Sequence, residues 1–197
     1  MKSFLTLDLI KKLRDITGVS IAEIKKALED ANQDVQKAKE LLRARGSTKA
    51  EKRSTRETKV GMVTSYVHSN NKVGVLVELL SETDFVARSD KFKELAHEIA
   101  LQIASMNPEF LSLEEMPKEI VDHEKSIYRE ELIKSGKPTQ VIDQIVEGRF
   151  QKHCEEICLL DQKYVKDQDL TVRELLNQFI SQIGENIKIG RFVRFEV

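Results

Sequence analysis

The chain has 197 residues, with 32 Lys+Arg against 33 Asp+Glu and a 40% hydrophobic content, the composition of one large or two small globular domains with a proper core. Two cysteines, Cys154 and Cys158, cannot make a disulfide framework, and no apolar run reaches the ~20 residues of a membrane span. A reduced, cytoplasmic setting without a membrane partner is expected, and Met1-Lys2-Ser3-Phe4-Leu5-Thr6-Leu7-Asp8 lacks the apolar core of a signal peptide, so no targeting segment is expected in this chain.

The near-neutral total hides an asymmetry. Residues 1–59 hold 15 Lys+Arg against 9 Asp+Glu, and the remainder 17 against 24, so a basic head precedes an acidic body. The head reads as three short helices. Leu9, Ile10, Leu13 and Ile16 recur at helical spacing up to Thr17-Gly18. Ser20-Ile21-Ala22-Glu23 fits a capping box ahead of Ile24, Ala27, Leu28 and Ala31. After Asn32-Gln33-Asp34 a third helix carries Val35, Ala38, Leu41 and Leu42 inward, with Gly46 expected as its C-terminal cap. Residues 47–59 contain no large apolar side chain and five basic ones, and read as a linker, helical at most at its start.

The period then switches from 3.6 to 2. Met62, Thr64 and Tyr66 alternate with Val63, Ser65 and Val67, and Ser69-Asn70-Asn71-Lys72 supplies turn chemistry. Val73, Val75, Val77 and Leu79 resume the alternation, which predicts a hairpin. A third strand over the last eleven residues completes the sheet, and everything between the second and third strands reads as helical. Phe92, Leu95, Ala96, Ile99, Ala100 and Ile103 define one helix. Pro117 and Pro138 open two more, separated by Gly136, which predicts an αα-hairpin. Thr171-Val172-Arg173-Glu174 caps a last helix. The expected fold class is therefore α+β: a three-helix bundle over residues 1–46, a basic linker over 47–59, and a core over 60–197 in which a three-stranded antiparallel sheet is packed by helices and an αα-hairpin.

Candidate chemistry is sparse. Gly136-Lys137 is no P-loop, because Glu131 stands where a glycine is needed and Pro138 replaces the Mg²⁺-binding hydroxyl. Cys154 and Cys158, beside His153, have metal-pair spacing but no second pair, and read as buried thiols rather than ligands or nucleophiles. The basic residues of the head lack interleaved aromatics, so direct nucleic-acid binding is not expected. No metal or cofactor site is assigned. The segment Ser81-Glu82-Thr83-Asp84-Phe85-Val86-Ala87-Arg88 is different: Thr83 or Ser89 can cap a helix, and Phe85 is either a plug in the core or an exposed aromatic.

At Glu82-Thr83-Asp84-Phe85-Val86-Ala87-Arg88 the sequence resembles the signature of the elongation factor Ts family. Leu9-Ile10-Lys11-Lys12-Leu13-Arg14, Val73-Gly74-Val75-Leu76-Val77-Glu78, Ser135-Gly136-Lys137-Pro138 and Arg191-Phe192-Val193-Arg194-Phe195-Glu196 resemble further blocks of that family, in order from about residue 8 onward. The resemblance implies a guanine nucleotide exchange factor, without covalent chemistry, that promotes GDP release from elongation factor Tu. It implies a ubiquitin-associated-like head whose Lys11, Arg14, Ile21 and Ala22 touch the GTPase's nucleotide domain. Asp84 and Phe85, flanked by Thr83 and Val86, form the exchange wedge, and His68 in the first strand faces another domain of the GTPase. The alternative class is a non-catalytic interaction module. Ile21-Ala22 replaces a frequent Met pair, which implies a smaller head contact. Ser89 stands where Asn is frequent, and Gln162-Lys163-Tyr164 resembles Gln-Pro-Phe. One core half is present where larger members have two, which implies the short form and a homodimer formed through the core.

Overall fold

Residues 7–197 are described by a computed structural model. Residues 1–6, which open the expected head and carry most of the segment read as lacking a leader, lie outside the described residues. Helices α1 (Leu7–Thr17) and α2 (Ile21–Asp30) bury Ile10, Leu13, Ile24, Ala27 and Leu28, as the spacing requires. The Ser20 hydroxyl accepts from the Glu23 N–H at 3.3 Å and donates to the Glu23 carboxylate at 3.0 Å, fixing the start of α2. Lys49 reaches the same carboxylate and, by that hydrogen bond above all, holds it below the usual carboxylate range. Asn32 and Gln33 take positive φ, after which Asp34 caps helix α3 (Val35–Arg53) by accepting from Gln36 and Lys37 N–H groups at 2.9 and 3.1 Å. The three helices close on one cluster that includes Leu13, Leu28 and Leu42.

Helix α3 corrects the expected stop at Gly46. That residue lies buried inside the helix, which continues to Arg53. Tertiary contacts outweigh glycine's low helix propensity here. Ala50 is buried, the Asn177 side chain donates to the Ser47 hydroxyl at 3.4 Å, and Arg53 donates to the Ile180 carbonyl at 3.2 Å. About half of the expected linker is therefore helix.

Strands β1 (Val60–Val67) and β2 (Val73–Ser81) form the expected hairpin. Asn71 takes φ 56° at the turn, and the His68 N–H donates to the Val73 carbonyl at 2.9 Å. A single helical turn, α4 (Asp84–Ala87), precedes helix α5 (Asp90–Met106), in which Phe92, Leu95, Ala96, Ile99 and Ile103 are fully buried. After a 3₁₀ turn (Leu113–Glu115) comes the αα-hairpin of α6 (Lys118–Lys134) and α7 (Thr139–Ile157). Gly136, at φ 73°, closes α6 in a Schellman arrangement: its N–H donates to Ile133 O at 3.0 Å and Lys137 N–H to Leu132 O at 3.2 Å. Lys125–Glu147, Arg129–Asp143 and Arg149–Glu131 ion pairs lace the two helices together.

The segment expected to be helical throughout also contains a second, two-stranded sheet, β3 (Lys163–Tyr164) with β4 (Asp167–Thr171), before helix α8 (Val172–Ile183). Strand β5 (Ile187–Glu196) completes the main antiparallel sheet in the order β1-β2-β5, with β2 central. Contacts divide the chain into two compact units, one of residues up to 66, 76–100 and 174–193, the other of 67–75, 101–173 and 194–197.

Strands too short to be read from periodicity are held by buried amides. In the second unit the Gln102 side chain, with no exposed surface, donates to Gln162 Oε1 at 3.1 Å and Lys163 O at 3.0 Å, and accepts from the Val165 N–H at 2.8 Å. Gln162 in turn donates to Glu156 O at 2.6 Å and Met106 O at 3.3 Å. Replacing Gln102 by Leu takes its partner from the buried Gln162 Oε1 and from the Lys163 carbonyl and the Val165 N–H. Gln102→Leu is therefore expected to lower unfolding stability by about 3 kcal/mol in urea titrations, and a loss below about 1 kcal/mol would remove the network from the explanation of the β3–β4 fold.

Candidate functional site

The first unit carries an aromatic ring in water on an ordered frame. Strand β2 ends with Leu79 and Ser81 fully buried, and α5 begins nine residues beyond Ser81 at Asp90 with its apolar face covered, so the chain must turn within a short span. Thr83 has extended backbone angles, φ −127° and ψ 152°, and its hydroxyl accepts from the Val86 N–H at 3.3 Å, which starts α4. Ser89 repeats the device for α5, accepting from the Phe92 N–H at 3.3 Å. Both capping residues named from sequence are used.

Within α4 the side chains divide sharply. Val86 and Ala87 are buried, whereas Phe85 is 86% exposed. The choice between plug and exposed aromatic falls to the exposed one. Asp84 is exposed and pairs with Arg88 one turn on, and Asp84, Phe85, Arg88 and Ser89 line a shallow depression of about 440 Å³.

A polar frame from distant parts of the sequence holds this turn. The Thr83 N–H donates to Glu185 Oε2 at 3.0 Å and the Thr83 hydroxyl to Glu185 Oε1 at 2.7 Å. The Ser81 hydroxyl donates to the Thr83 carbonyl at 3.0 Å. Next to them, the Asn186 N–H donates to Glu82 Oε1 at 2.5 Å, Arg56 approaches the same oxygen at 3.4 Å, and the Asn186 side chain donates to Arg56 O at 2.8 Å and Ser54 O at 3.4 Å. Gly184, at φ 91°, ends α8 and turns the chain so that Glu185 and Asn186 meet Thr83 and Glu82. Sequence reading named Thr83 to Val86 and missed Glu185, Asn186 and Arg56. The available signal was Gly-Glu-Asn, three polar or turn residues between an amphipathic helix and a strand.

The other candidates fall elsewhere. Lys11 and Arg14 are exposed on α1, and Ile21 and Ala22 are exposed on the first turn of α2, with Ile21 at 43%. They share the first unit with Phe85. His68 lies just past the end of β1 rather than inside it, is exposed, and belongs to the second unit.

Comparison with known proteins decides the family. The family model described as Elongation factor TS matches residues 5–197. The chain is 51% identical to elongation factor Ts of Thermosipho melanesiensis across 96% of both chains. It is 48% identical to that of Fervidobacterium nodosum across 98% of both, and 47% identical to that of Thermotoga maritima across 98% of this chain and 96% of the relative. The chain belongs to the elongation factor Ts family. Its relatives' names place it among the elongation factors of protein synthesis.

In this chain the two thiols are shut off from solvent. Cys154 and Cys158 are fully buried with Met116 and Phe150, and among the described residues no group of His, Cys, Asp and Glu could hold a metal ion. Burial pushes the Cys154 thiol up and the Cys158 thiol up to about 12, with nearby Cys154 and Asp161 adding to the latter. Both thiols thus stay protonated at neutral and mildly alkaline pH. Native protein at pH 8 is expected to resist labelling by a disulfide reagent and to release two equivalents of thiol only on unfolding. Rapid native labelling would return the cysteines to the list of reactive groups.

Proposed function

We propose that this chain is a guanine nucleotide exchange factor that promotes GDP release from elongation factor Tu, with Asp84 and Phe85 as the wedge. The observation that carries the reading is the 86% exposure of Phe85 between a structured cap and two buried neighbours. Burying such a ring in a partner contributes about 1.5–3 kcal/mol. If the wedge shifts backbone groups that cradle the phosphates and Mg²⁺ of the GTPase, GDP and the factor weaken each other's binding by the same factor, since linkage is reciprocal. The GTPase passes through a ternary complex that loses GDP, and no covalent step is involved.

In this reading the head, residues 1–46, docks on the nucleotide domain through Lys11, Arg14, Ile21 and Ala22. The mixed charged and apolar exposure of α1 and the start of α2 suits a protein surface better than nucleic acid. His68 faces a second domain of the GTPase. The chain acts in the cytoplasm, where elongation takes place, and among the described residues no helix is long and apolar enough to cross a membrane.

The core, residues 60–197, pairs with a second copy. The outer face of the main sheet supports this: Val63 and Leu76 are 62% and 47% exposed, and with Val193 they line a groove of about 370 Å³ flanked by the Glu78–Arg191 ion pair. Isologous pairing about a two-fold axis covers such a face on both copies at once.

Phe85→Ala is expected to slow factor-catalysed GDP release from elongation factor Tu more than tenfold while melting with the wild type, as a truncated hot spot would. Asp84→Asn is expected to be milder, because it removes charge and keeps shape. Wild-type exchange by Phe85→Ala would rule out the wedge assignment, and no acceleration of GDP release by the wild-type chain would leave the interaction-module reading in its place. For the dimer, sedimentation equilibrium at micromolar concentration is expected to give twice the chain mass, and Leu76→Asp to give the single mass. A wild-type monomer with full exchange activity would refute the pairing.

A further inference from the structure

Phe85 owes its orientation to a backbone that other residues fix, and the contacts that fix it converge on one carboxylate. Glu185 accepts both hydrogens that Thr83 offers, the N–H at 3.0 Å and the hydroxyl at 2.7 Å. A hydroxyl has one hydrogen, so its donation to Glu185 turns an oxygen lone pair toward the Val86 N–H, which it meets at 3.3 Å. The capping bond that starts α4 is thereby set by Glu185 as well as by Thr83. The Thr83 carbonyl is engaged too, by the Ser81 hydroxyl at 3.0 Å and the Ala87 N–H at 3.2 Å.

We propose that Glu185 is a positioning residue for exchange, holding Thr83 so that the Phe85 ring is pre-organised in the geometry that docks. This inference rests on the wedge reading of Asp84 and Phe85. Without Glu185 the turn samples other conformations, including those that fold the ring onto the protein's own surface, and the partner must select the docking-competent one. Affinity then falls by the fraction of time the competent state is populated, while the bound complex, once formed, is unchanged.

The test measures GDP release from elongation factor Tu against factor concentration for wild type, Phe85→Ala, Glu185→Ala, Glu185→Gln and the Phe85→Ala/Glu185→Ala double variant. Amide hydrogen exchange at Thr83 and Val86 is followed in the free proteins. Glu185→Ala is expected to raise the half-saturating factor concentration about tenfold, the effect of losing a hydrogen bond to a charged group, with a maximal rate within about twofold of wild type. Glu185→Gln keeps an acceptor and is expected to recover part of that loss. Thr83 and Val86 amides are expected to exchange faster in Glu185→Ala while the melting transition stays cooperative. In the Phe85→Ala background the same change is expected to add less than about twofold, because there is no ring left to position.

Equal factors in both backgrounds, or wild-type exchange by Glu185→Ala beside an impaired Phe85→Ala, would overturn the positioning role and leave the wedge intact. Wild-type exchange by Phe85→Ala would overturn both. If Glu185→Ala loses its cooperative melt, Glu185→Gln and Thr83→Val, which removes the hydroxyl half of the contact together with the cap on Val86 and keeps the Thr83 N–H, carry the comparison, and unaltered half-saturation in both would overturn the role.

Discussion

A phenylalanine in water tends to collapse onto the nearest apolar surface, and Phe85 stays exposed only because the backbone of its turn denies it that escape. The ring forgoes about 1.5–3 kcal/mol of burial, which the rest of the first unit offsets by anchoring the residues on either side. Val86 and Ala87 point inward, Leu79 and Ser81 bury the end of β2, and Phe92 buries the start of α5. The α8–β5 corner then fixes the remaining polar groups, Glu185 on Thr83 and Asn186 against Glu82 and the end of α3. Elements more than a hundred residues apart in sequence thus specify the direction of a single side chain.

What could be read in the sequence followed from local rules, and what could not depended on distant partners. Helices α1, α2, α5 and α8 announced themselves by apolar spacing and caps, and Asn70-Asn71 marked the hairpin turn. Gly46 misled because propensity speaks only for the helix that contains it, whereas α3 continues on contacts to α8 from Ser47 and Arg53. The β3–β4 pair escaped notice because two residues have no period, and its order comes from Gln102, some sixty residues earlier. Phe85 was ambiguous in a stricter sense. An aromatic between a strand and a helix has the same local signature buried or exposed, and only the tertiary fold settles which.

The second unit relies on a different balance. Its αα-hairpin has a narrow apolar seam, with Leu132, Ile142 and Val146 buried toward the turn and Phe150 and Cys154 further along α7. Cross-helix ion pairs at the exposed edges contribute little singly, yet the three of them favour one register of α6 against α7, because a slip would part each pair. Lys125 adds its ammonium 4.7 Å from the Phe150 ring centre. Apolar burial supplies cohesion in this hairpin, and charge supplies alignment.

The uninterrupted run of α3 changes how two contact surfaces on one molecule combine. Its first half packs in the head cluster and its second half lies on α8 through Ser47 and Arg53, so the head and the Phe85 turn belong to one compact unit, where a flexible chain of equal length would sample many separations. In the proposed complex the first contact to form, at the head or at Phe85, presents the second at a narrow range of distances. The local concentration of that second contact is then high when the partner's two sites match that spacing and vanishes when they do not. Two surfaces held apart by packing act as a ruler, and in the proposed complex the combined grip depends on the distance between the partner's sites as much as on the chemistry at either one.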